Sequence, residues 1–345
     1  LELISIINVP NIQRTETSIR KALDKRGFDA KWHFEDIVSH GSAIEEAIRK
    51  ARQYAKAESN VLILGESGTG KEMFAQSIHN ASSFAKGPFV AINCAALPES
   101  LLESELFGYE GGAFTGARKG GKTGLVELSH EGTLFLDEIG ELPPHIQSKL
   151  LQLIQEKTIE RLSSNRRIEL DFRLIVATNR NLEEEVQRGL FRSDLFYRLN
   201  VIRVHIPPLR QRPDDILPLA HQFLERFCRE YGKQITFSPR FISFLEQFSW
   251  PGNVRQLENL MERLVITSQD PILDTTALPL DYGADTAAPA STGGTLEERM
   301  SAYEGQIIRE SYHRCRTTVA VAKDLGISQA TAARKIAKYV KGMKE

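Results

Sequence analysis

The sequence predicts an α/β fold, a parallel sheet flanked by helices, followed by a small all-helical domain and a C-terminal helix-turn-helix. Three observations predict it. Short apolar runs recur at 61–64, 89–92, 133–136, 173–177 and 201–206, with helical stretches between most of them. Strand-like runs then stop after Pro208, and helix signals follow one another. The last fifty residues are helical again and end in a basic stretch with a tight turn at Gly326.

Each element has its own reason. Strands buried on both faces read as continuous apolar runs, which suits a parallel sheet covered by helices on either side. The apolar residues Ile44, Ala47, Ile48 and Ala51 recur at helical spacing within 34–59. Ile146, Leu150, Leu153 and Ile154 share one face of a helix over 145–156. Past Pro208, a helix over 213–231 is opened by Pro213 and closed by Gly232, a second starts at Ser238-Pro239, and a third after Asn253. Residues 281–295 are small, polar and rich in Gly, Pro and Thr, the composition of a flexible linker. At the other end, the run from Leu3 to Val9 reads as a strand and 11–25 as a polar helix, the end of an upstream domain.

Composition narrows the class. Hydrophobic residues make up 41% and charged residues 26%, and the net charge is −1. That is an ordinary soluble globular balance, so only local charge can point to nucleic acid. Cys94, Cys228 and Cys315 form no CxxC pair, which argues against a disulfide framework or a zinc site. No apolar run approaches the roughly 18 residues of a membrane span, so a soluble, cytoplasmic protein without a membrane partner is expected.

Residues 61–72 read VLILGESGTGKE, a strand running into GxxxxGK and then into a helix. Gly65, Gly68 and Gly70 let the backbone curl, with Glu66, Ser67 and Thr69 between them, so that N–H groups converge on a phosphate. Lys71 supplies positive charge, and the helix N-terminus adds its dipole. Glu72 stands where Ser or Thr usually helps hold Mg2+. Alone, such a loop is as compatible with an ordinary turn. It is joined by TLFLDE at 133–138, which sets Asp137 and Glu138 at the end of a buried strand. Asp137 would orient the metal ion, Mg2+, and Glu138 would polarise the attacking water. The pair could instead cap a helix, but both motifs at this separation make the nucleotide reading the stronger one.

Other polar residues fall where such a site needs them. Asn179 ends the 173–177 run and can face the edge that carries Asp137, although a turn asparagine is the plainer reading. Asn93 ends the 89–92 run and is placed to hold Glu138. Arg192 and Arg198 lie six apart, better suited to a neighbouring subunit's site than to their own, with surface ion pairs as the alternative. Arg255 opens a helix of the small domain and could reach the γ-phosphate.

Together these motifs resemble the AAA+ ATPases, and more narrowly the bacterial enhancer-binding proteins that activate sigma-54 RNA polymerase. The blocks that carry the resemblance are GESGTGKE at 65–72, NCAALPE at 93–99, TLFLDEIGELP at 133–143, FRSDLFYRLN at 191–200, LRQRPDDI at 209–216 and WPGNVRQLEN at 250–259. Glu72 belongs to that family's form of the loop. The resemblance implies an ATPase that uses ATP and Mg2+, with Lys71 on phosphate and Asp137 and Glu138 in hydrolysis. It makes Asn93 the restraint on Glu138, Asn179 a phosphate sensor, Arg192 and Arg198 residues acting in trans within a ring of six, and Arg255 the lid sensor. It divides the chain into the end of a sensory domain with its linker helix (1–33), an α/β nucleotide-binding subdomain (34–208), a helical lid (209–280), the linker (281–295) and a helix-turn-helix (296–345).

The hexapeptide Gly112, Ala113, Phe114, Thr115, Gly116 and Ala117 is a glycine-flanked loop with an aromatic and a hydroxyl at its tip. Such a loop is suited to pressing on a partner, with Phe114 as a core anchor the alternative. In the family it resembles, it is the loop that touches sigma-54. Between residues 314 and 344 stand eight Lys and Arg against one acid, Asp324. A helix pair turning at Gly326 would lay its second helix in the major groove of double-stranded DNA. Ser328, Gln329, Thr331, Arg334 and Lys335 would face bases and phosphates, with a generic helical hairpin as the alternative. Two other classes stay open: a regulator of ordinary promoters that uses ATP only to oligomerise, and a remodeller of unrelated proteins.

Overall fold

The computed structural model describes residues 28–113, 120–164, 166–279, 282, 296–315 and 317–341. The predicted strand at 3–9, the helix at 11–25 and, apart from residue 282, the linker at 281–295 lie outside them. The chain forms two compact units, divided after residue 282.

The strands are β1 (Val61–Leu64), β2 (Phe89–Asn93), β3 (Gly108–Tyr109), β4 (Lys122–Thr123), β5 (Gly132–Asp137), β6 (Thr158–Glu160), β7 (Arg167–Glu169), β8 (Phe172–Thr178), β9 (Ile202–His205), β10 (Thr236–Phe237) and β11 (Ile272–Leu273). The helices of the first unit are α1 (Ser42–Ala55), α2 (Lys71–Asn80), α3 (Glu99–Phe107), α4 (Leu125–Leu128), α5 (Pro144–Glu156), α6 (Leu182–Gln187), α7 (Ser193–Leu199), α8 (Ile216–Tyr231), α9 (Pro239–Gln247) and α10 (Asn253–Thr267).

Five strands form one parallel sheet in the order β2-β5-β8-β1-β9. Successive strand residues point to opposite faces, and the core divides accordingly. Leu62, Leu134, Leu136, Leu174 and Val176 pack on one side with Leu150 and Leu153 of α5 and Leu195 of α7. Val61, Ile63, Phe135, Ile175 and Ala177 pack on the other with Ile44 and Ile48 of α1 and Phe74 and Ile78 of α2. Both alternating sets are apolar because both faces are covered, and each such fully buried side chain contributes roughly 1.5–3 kcal/mol. One buried cation interrupts the pattern. Arg173, 1% exposed, donates to the carbonyls of Ala55 at 2.7 Å and Tyr54 at 2.8 Å, so its charge closes the C-terminus of α1.

The helical domain has its own core around Trp250, whose indole N–H donates to Leu245 O at 2.9 Å. Ser238 caps α9 by accepting from Phe241 N at 3.1 Å, and Gly232 closes α8 in the left-handed region at φ 65°. Three differences from the sequence reading appear. The stretch from Pro213 opens as a 3-10 turn, Pro213–Asp215, before α8 begins. The predicted helical run from 34 divides into a 3-10 turn at Phe34–Asp36 and α1. The domain read as all-helical also contains the short parallel pair β10–β11. Two-residue strands are too short to leave any periodicity in a sequence.

The second unit contains helices α11 (Leu296–Cys315), α12 (Thr318–Asp324) and α13 (Gln329–Ile336), around Ile308, Val321, Ala322, Ala332 and Ile336. Thr317 caps α12 and Ser328 caps α13 through side-chain oxygens. Gly326 makes the turn between them at φ 62°, and Ala322 is buried between the helices.

Candidate functional site

Parallel strands end together, and this sheet sets its polar residues along one edge. Gly65 follows β1, Asn93 ends β2 in register with Asp137 at the end of β5, and Asn179 follows β8. The loop 65–70 then bends into α2, with Gly68 and Gly70 in the left-handed region at φ 77° and 100°. At Gly68 a side chain is excluded twice, because a Cβ would also stand 2.4 Å from Gly252 O.

Lys71, the first residue of α2, turns back over the loop. Its ammonium lies 3.2 Å from Gly65 O and 3.2 Å from Glu138 Oε1, and only 7% of the side chain is exposed. Glu138 sits in the left-handed region at φ 52° and accepts from Asn179 N at 3.3 Å through its other oxygen. Burial raises the pKa of Asp137 and Lys71 opposes it, while Glu138 and Glu72 raise it further. Asp137 and Glu138 thus share the buried Lys71 ammonium, an arrangement with room in its charge for an added cation. Among the described residues no group of three or more acids, histidines or cysteines forms a metal cage. Asp137 is the residue here that could hold a hard cation, with water and phosphate oxygens completing the shell. Cys94 is no rival centre, since burial and the two acids push its thiol up to about 12.

The helical domain closes on the outer side of the loop. Arg210 makes a two-pronged bond to Glu66, at 2.8 and 2.5 Å, and Asn253 Nδ2 donates to Glu66 at 3.1 Å. These partners, Arg210 foremost, hold the Glu66 carboxyl at about 2. Arg255 donates from its backbone N to Gly68 O at 3.3 Å and from its guanidinium to Ser67 Oγ at 3.3 Å. Buried Arg212 donates to Thr69 O at 3.2 Å and lies 3.7 Å from Asp215. Asp215 in turn accepts from His40 N at 2.6 Å and Gly41 N at 3.1 Å, just before α1. The sequence reading singled out Arg255 in this region and missed Arg210, Arg212, Asp215 and Asn253. They stand more than 140 positions from the loop, and no periodicity announces such a contact.

The remaining candidates separate into groups. Asn93 turns its side-chain oxygen to Ala95 N at 2.9 Å, while Glu138 is held by Lys71 and Asn179 N. Arg192 stands just before α7 and pairs with Asp194 at 2.7 Å and with Ser148 at 2.9 Å, facing solvent. Arg198 is exposed on the same helix, beside Tyr197 at 73% exposure and Val201 at 59%. A cavity of about 310 Å³ beside the edge is lined by Gly65, Asn179, Arg180, Glu183, Arg203 and His205. It touches neither Lys71 nor Asp137 and is not the phosphate site.

Of the hexapeptide, Gly112 and Ala113 are described, and Phe114, Thr115, Gly116 and Ala117 lie outside the described residues. Its stem is firmly built. β3 pairs with β4, Glu110 N donates to Leu162 O at 3.1 Å, and Leu162 N donates to Gly108 O at 3.0 Å. Arg161 fastens this stem by a two-pronged bond to Glu127, at 2.9 and 2.8 Å, and reaches Glu110 at 3.4 Å. The sequence offers no signal for Arg161.

In the second unit, Gln329 and Arg334 are exposed on α13, while Ser328 and Thr331 bond to each other at 2.8 Å as the helix cap. Lys335 differs from its expected outward position. Its ammonium pairs with Glu304 of α11, which also accepts from Tyr339 at 2.9 Å. Position along a helix cannot separate a lysine that snorkels outward from one drawn back to a carboxylate on the next helix.

Comparison with known proteins agrees with this geometry. Residues 37–205 match the family described as the sigma-54 interaction domain, and residues 210–293 match the AAA+ ATPase lid domain. The regulatory protein AtoC of Escherichia coli is 43% identical over 91% of this chain and 70% of its own. The nitrogen fixation protein AnfA of Azotobacter vinelandii is 39% identical over 98% of this chain and 63% of its own. NtrX from Brucella abortus, solved in complex with ADP, superposes with a TM-score of 0.69 at 31% identity, covering 95% of this chain and 74% of that one. The chain spans 54–63% of the length of several curated relatives. Among the described residues no helix is long and apolar enough to cross a membrane. With a phosphate loop, two acids at the same sheet edge and a lid fastened to the loop, the chain belongs to the sigma-54-dependent transcriptional activator family and carries its AAA+ ATPase domain.

Proposed function

We propose that this protein couples ATP hydrolysis to remodelling of the sigma-54 RNA polymerase closed complex while bound to double-stranded DNA upstream. The observation that carries the reading is the Lys71–Glu138 pair at 3.2 Å on a strand edge shared with Asp137. Lys71 leaves Glu138 for the β- and γ-phosphates and frees it to polarise water. Asp137 would hold Mg2+, which supplies Lewis-acid neutralisation of phosphate charge when bound. Arg192 and Arg198 act on the neighbouring subunit's ATP within a ring of six. Their exposure on α7, beside two exposed apolar side chains, supports that role. The loop 112–117 touches sigma-54, and its stem, fastened by Arg161 to Glu127, carries movement from the sheet edge to the tip. The second unit binds DNA as a helix-turn-helix, with Gln329 and Arg334 outward and Lys335 acting through Glu304.

The test is promoter opening, followed by permanganate footprinting on a sigma-54 promoter with purified holoenzyme. ATP-dependent melting with this protein, absent with Lys71→Ala, is expected. Melting that proceeds without hydrolysable nucleotide would overturn the reading.

A further inference from the structure

Every carbonyl of the phosphate loop from Gly65 to Gly70 has a donor. Gly65 O takes the Lys71 ammonium at 3.2 Å, Glu66 O takes the Thr69 hydroxyl at 2.8 Å, and Gly70 O takes Phe74 N at 3.2 Å. The three between them are held by the helical domain: Ser67 O by Asn253 Nδ2 at 3.0 Å, Gly68 O by Arg255 N at 3.3 Å, and Thr69 O by Arg212 Nη2 at 3.2 Å. In a planar trans peptide the C=O and the following N–H point in opposite directions. Fixing three carbonyls on the lid side therefore orients the N–H groups that follow them: those of Gly68 and Gly70 turn to the other side, while Thr69 N closes a turn onto Glu66 O at 3.4 Å.

Asn253 is the hub of this arrangement. It is fully buried, and it opens α10 in the left-handed region at φ 55°, a conformation that asparagine tolerates better than most residues. Its amide nitrogen bonds both Ser67 O and Glu66 Oε2, at 3.0 and 3.1 Å. Its amide oxygen accepts from Leu209 N at 2.8 Å, at the start of the turn that carries Arg210 and Arg212. One side chain therefore ties the loop, its glutamate and the lid's entry turn together.

We propose that Asn253 is a positioning residue for the nucleotide's phosphates: by holding the carbonyl edge of the loop it sets the inward direction of the loop's N–H groups. The inference rests on the ATPase reading, and wild-type ADP binding checks that reading separately. The requirement is geometric, so its loss falls on the phosphates and spares the base.

The experiment uses Asn253→Gly, which tolerates the left-handed backbone and removes the side chain with its amide. Affinity for ADP, AMP-PNP and adenosine is measured by displacement of a fluorescent ADP, alongside steady-state ATPase. The expected result is a loss of about tenfold for ADP and AMP-PNP, the scale of one or two hydrogen bonds, with adenosine within about twofold. KM for ATP rises about tenfold and kcat at saturation changes by less than about threefold. Asn253→Asp keeps the shape and the acceptor for Leu209 N but sets a carboxylate against Glu66 and Ser67 O. It carries the same test if the glycine variant does not fold, with the same selective loss expected. Unchanged ADP affinity, or adenosine affinity falling in parallel with ADP, would overturn the proposal.

Discussion

The Lys71 ammonium and the Glu138 carboxylate meet at 3.2 Å, although 67 positions separate them in the chain. The parallel sheet brings them together, since β1 and β5 both flank β8 and end at one edge. On the proposed function, a lysine that exchanges a carboxylate for a phosphate would link nucleotide arrival to release of the base that activates water.

Glu138→Gln keeps the shape and removes the negative charge. It is expected to bind ATP with near wild-type affinity while kcat falls by about 10²–10⁴-fold, the usual worth of a general base. Radiolabelled ATP retention on a filter and phosphate release measure the two parts. Retained turnover would remove Glu138 from the chemistry.

Arg192 and Arg198 are exposed to solvent at α7; Arg192 pairs with Asp194 and Ser148, and among the described residues neither arginine pairs with a group of its own phosphate site. If they act in trans, Arg198→Ala keeps ATP binding and loses turnover by about 10³-fold or more. Mixing it with Lys71→Ala subunits should then recover part of the activity, because a mixed interface combines an intact loop with an intact arginine. Mixtures that stay as inactive as their components would contradict the arrangement.

His79 is buried against Thr133 at 2.7 Å, and burial, with Arg173 next in effect, lowers its pKa from 6.5 to about 4. The unfolded chain therefore binds a proton here that the folded chain refuses. The contribution is complete above pH 6.5 and is lost as pH falls toward about 4. Linkage puts the cost near 2 kcal/mol at pH 5 and about 3 kcal/mol in full. Urea unfolding at pH 7 and pH 5 checks it: His79→Gln should lose about 2 kcal/mol less than wild type over that interval.

The second unit separates two neighbours on α13. Arg334 is exposed and is expected to contact DNA, so Arg334→Ala should weaken specific binding about tenfold or more. Lys335→Ala should act through the Glu304 contact, lowering the unit's thermal stability more than its affinity at low temperature. Fluorescence anisotropy with an operator duplex, paired with thermal melts, distinguishes the two.

Much of this site was legible in the sequence because its chemistry is local. Lys71 follows a glycine loop directly, and Asp137 and Glu138 stand at the end of an apolar run, so strand, turn and charge lie within a few positions of one another. The five central strands were legible for a related reason: with Leu62 and Ile63 buried on opposite faces, the run carries no polar break. What escaped depends on tertiary approach. Asn253 and Arg212 look like cap and surface residues until the lid folds over Ser67 and Thr69. Arg161 looks like one more charge in a polar hairpin until it meets Glu127. Lys335 carries the same helical periodicity whether it faces solvent or Glu304.

The most direct measurement is a native-gel assay of purified sigma-54 with this protein and ADP–aluminium fluoride, which mimics the transition state of hydrolysis. The account predicts a complex that forms only with the trapped nucleotide and is lost in Thr115→Ala, whose ATPase stays largely intact. A protein that hydrolyses ATP yet forms no such complex, or a Thr115→Ala variant that forms it normally, would contradict the claim that the loop at 112–117 delivers hydrolysis to sigma-54.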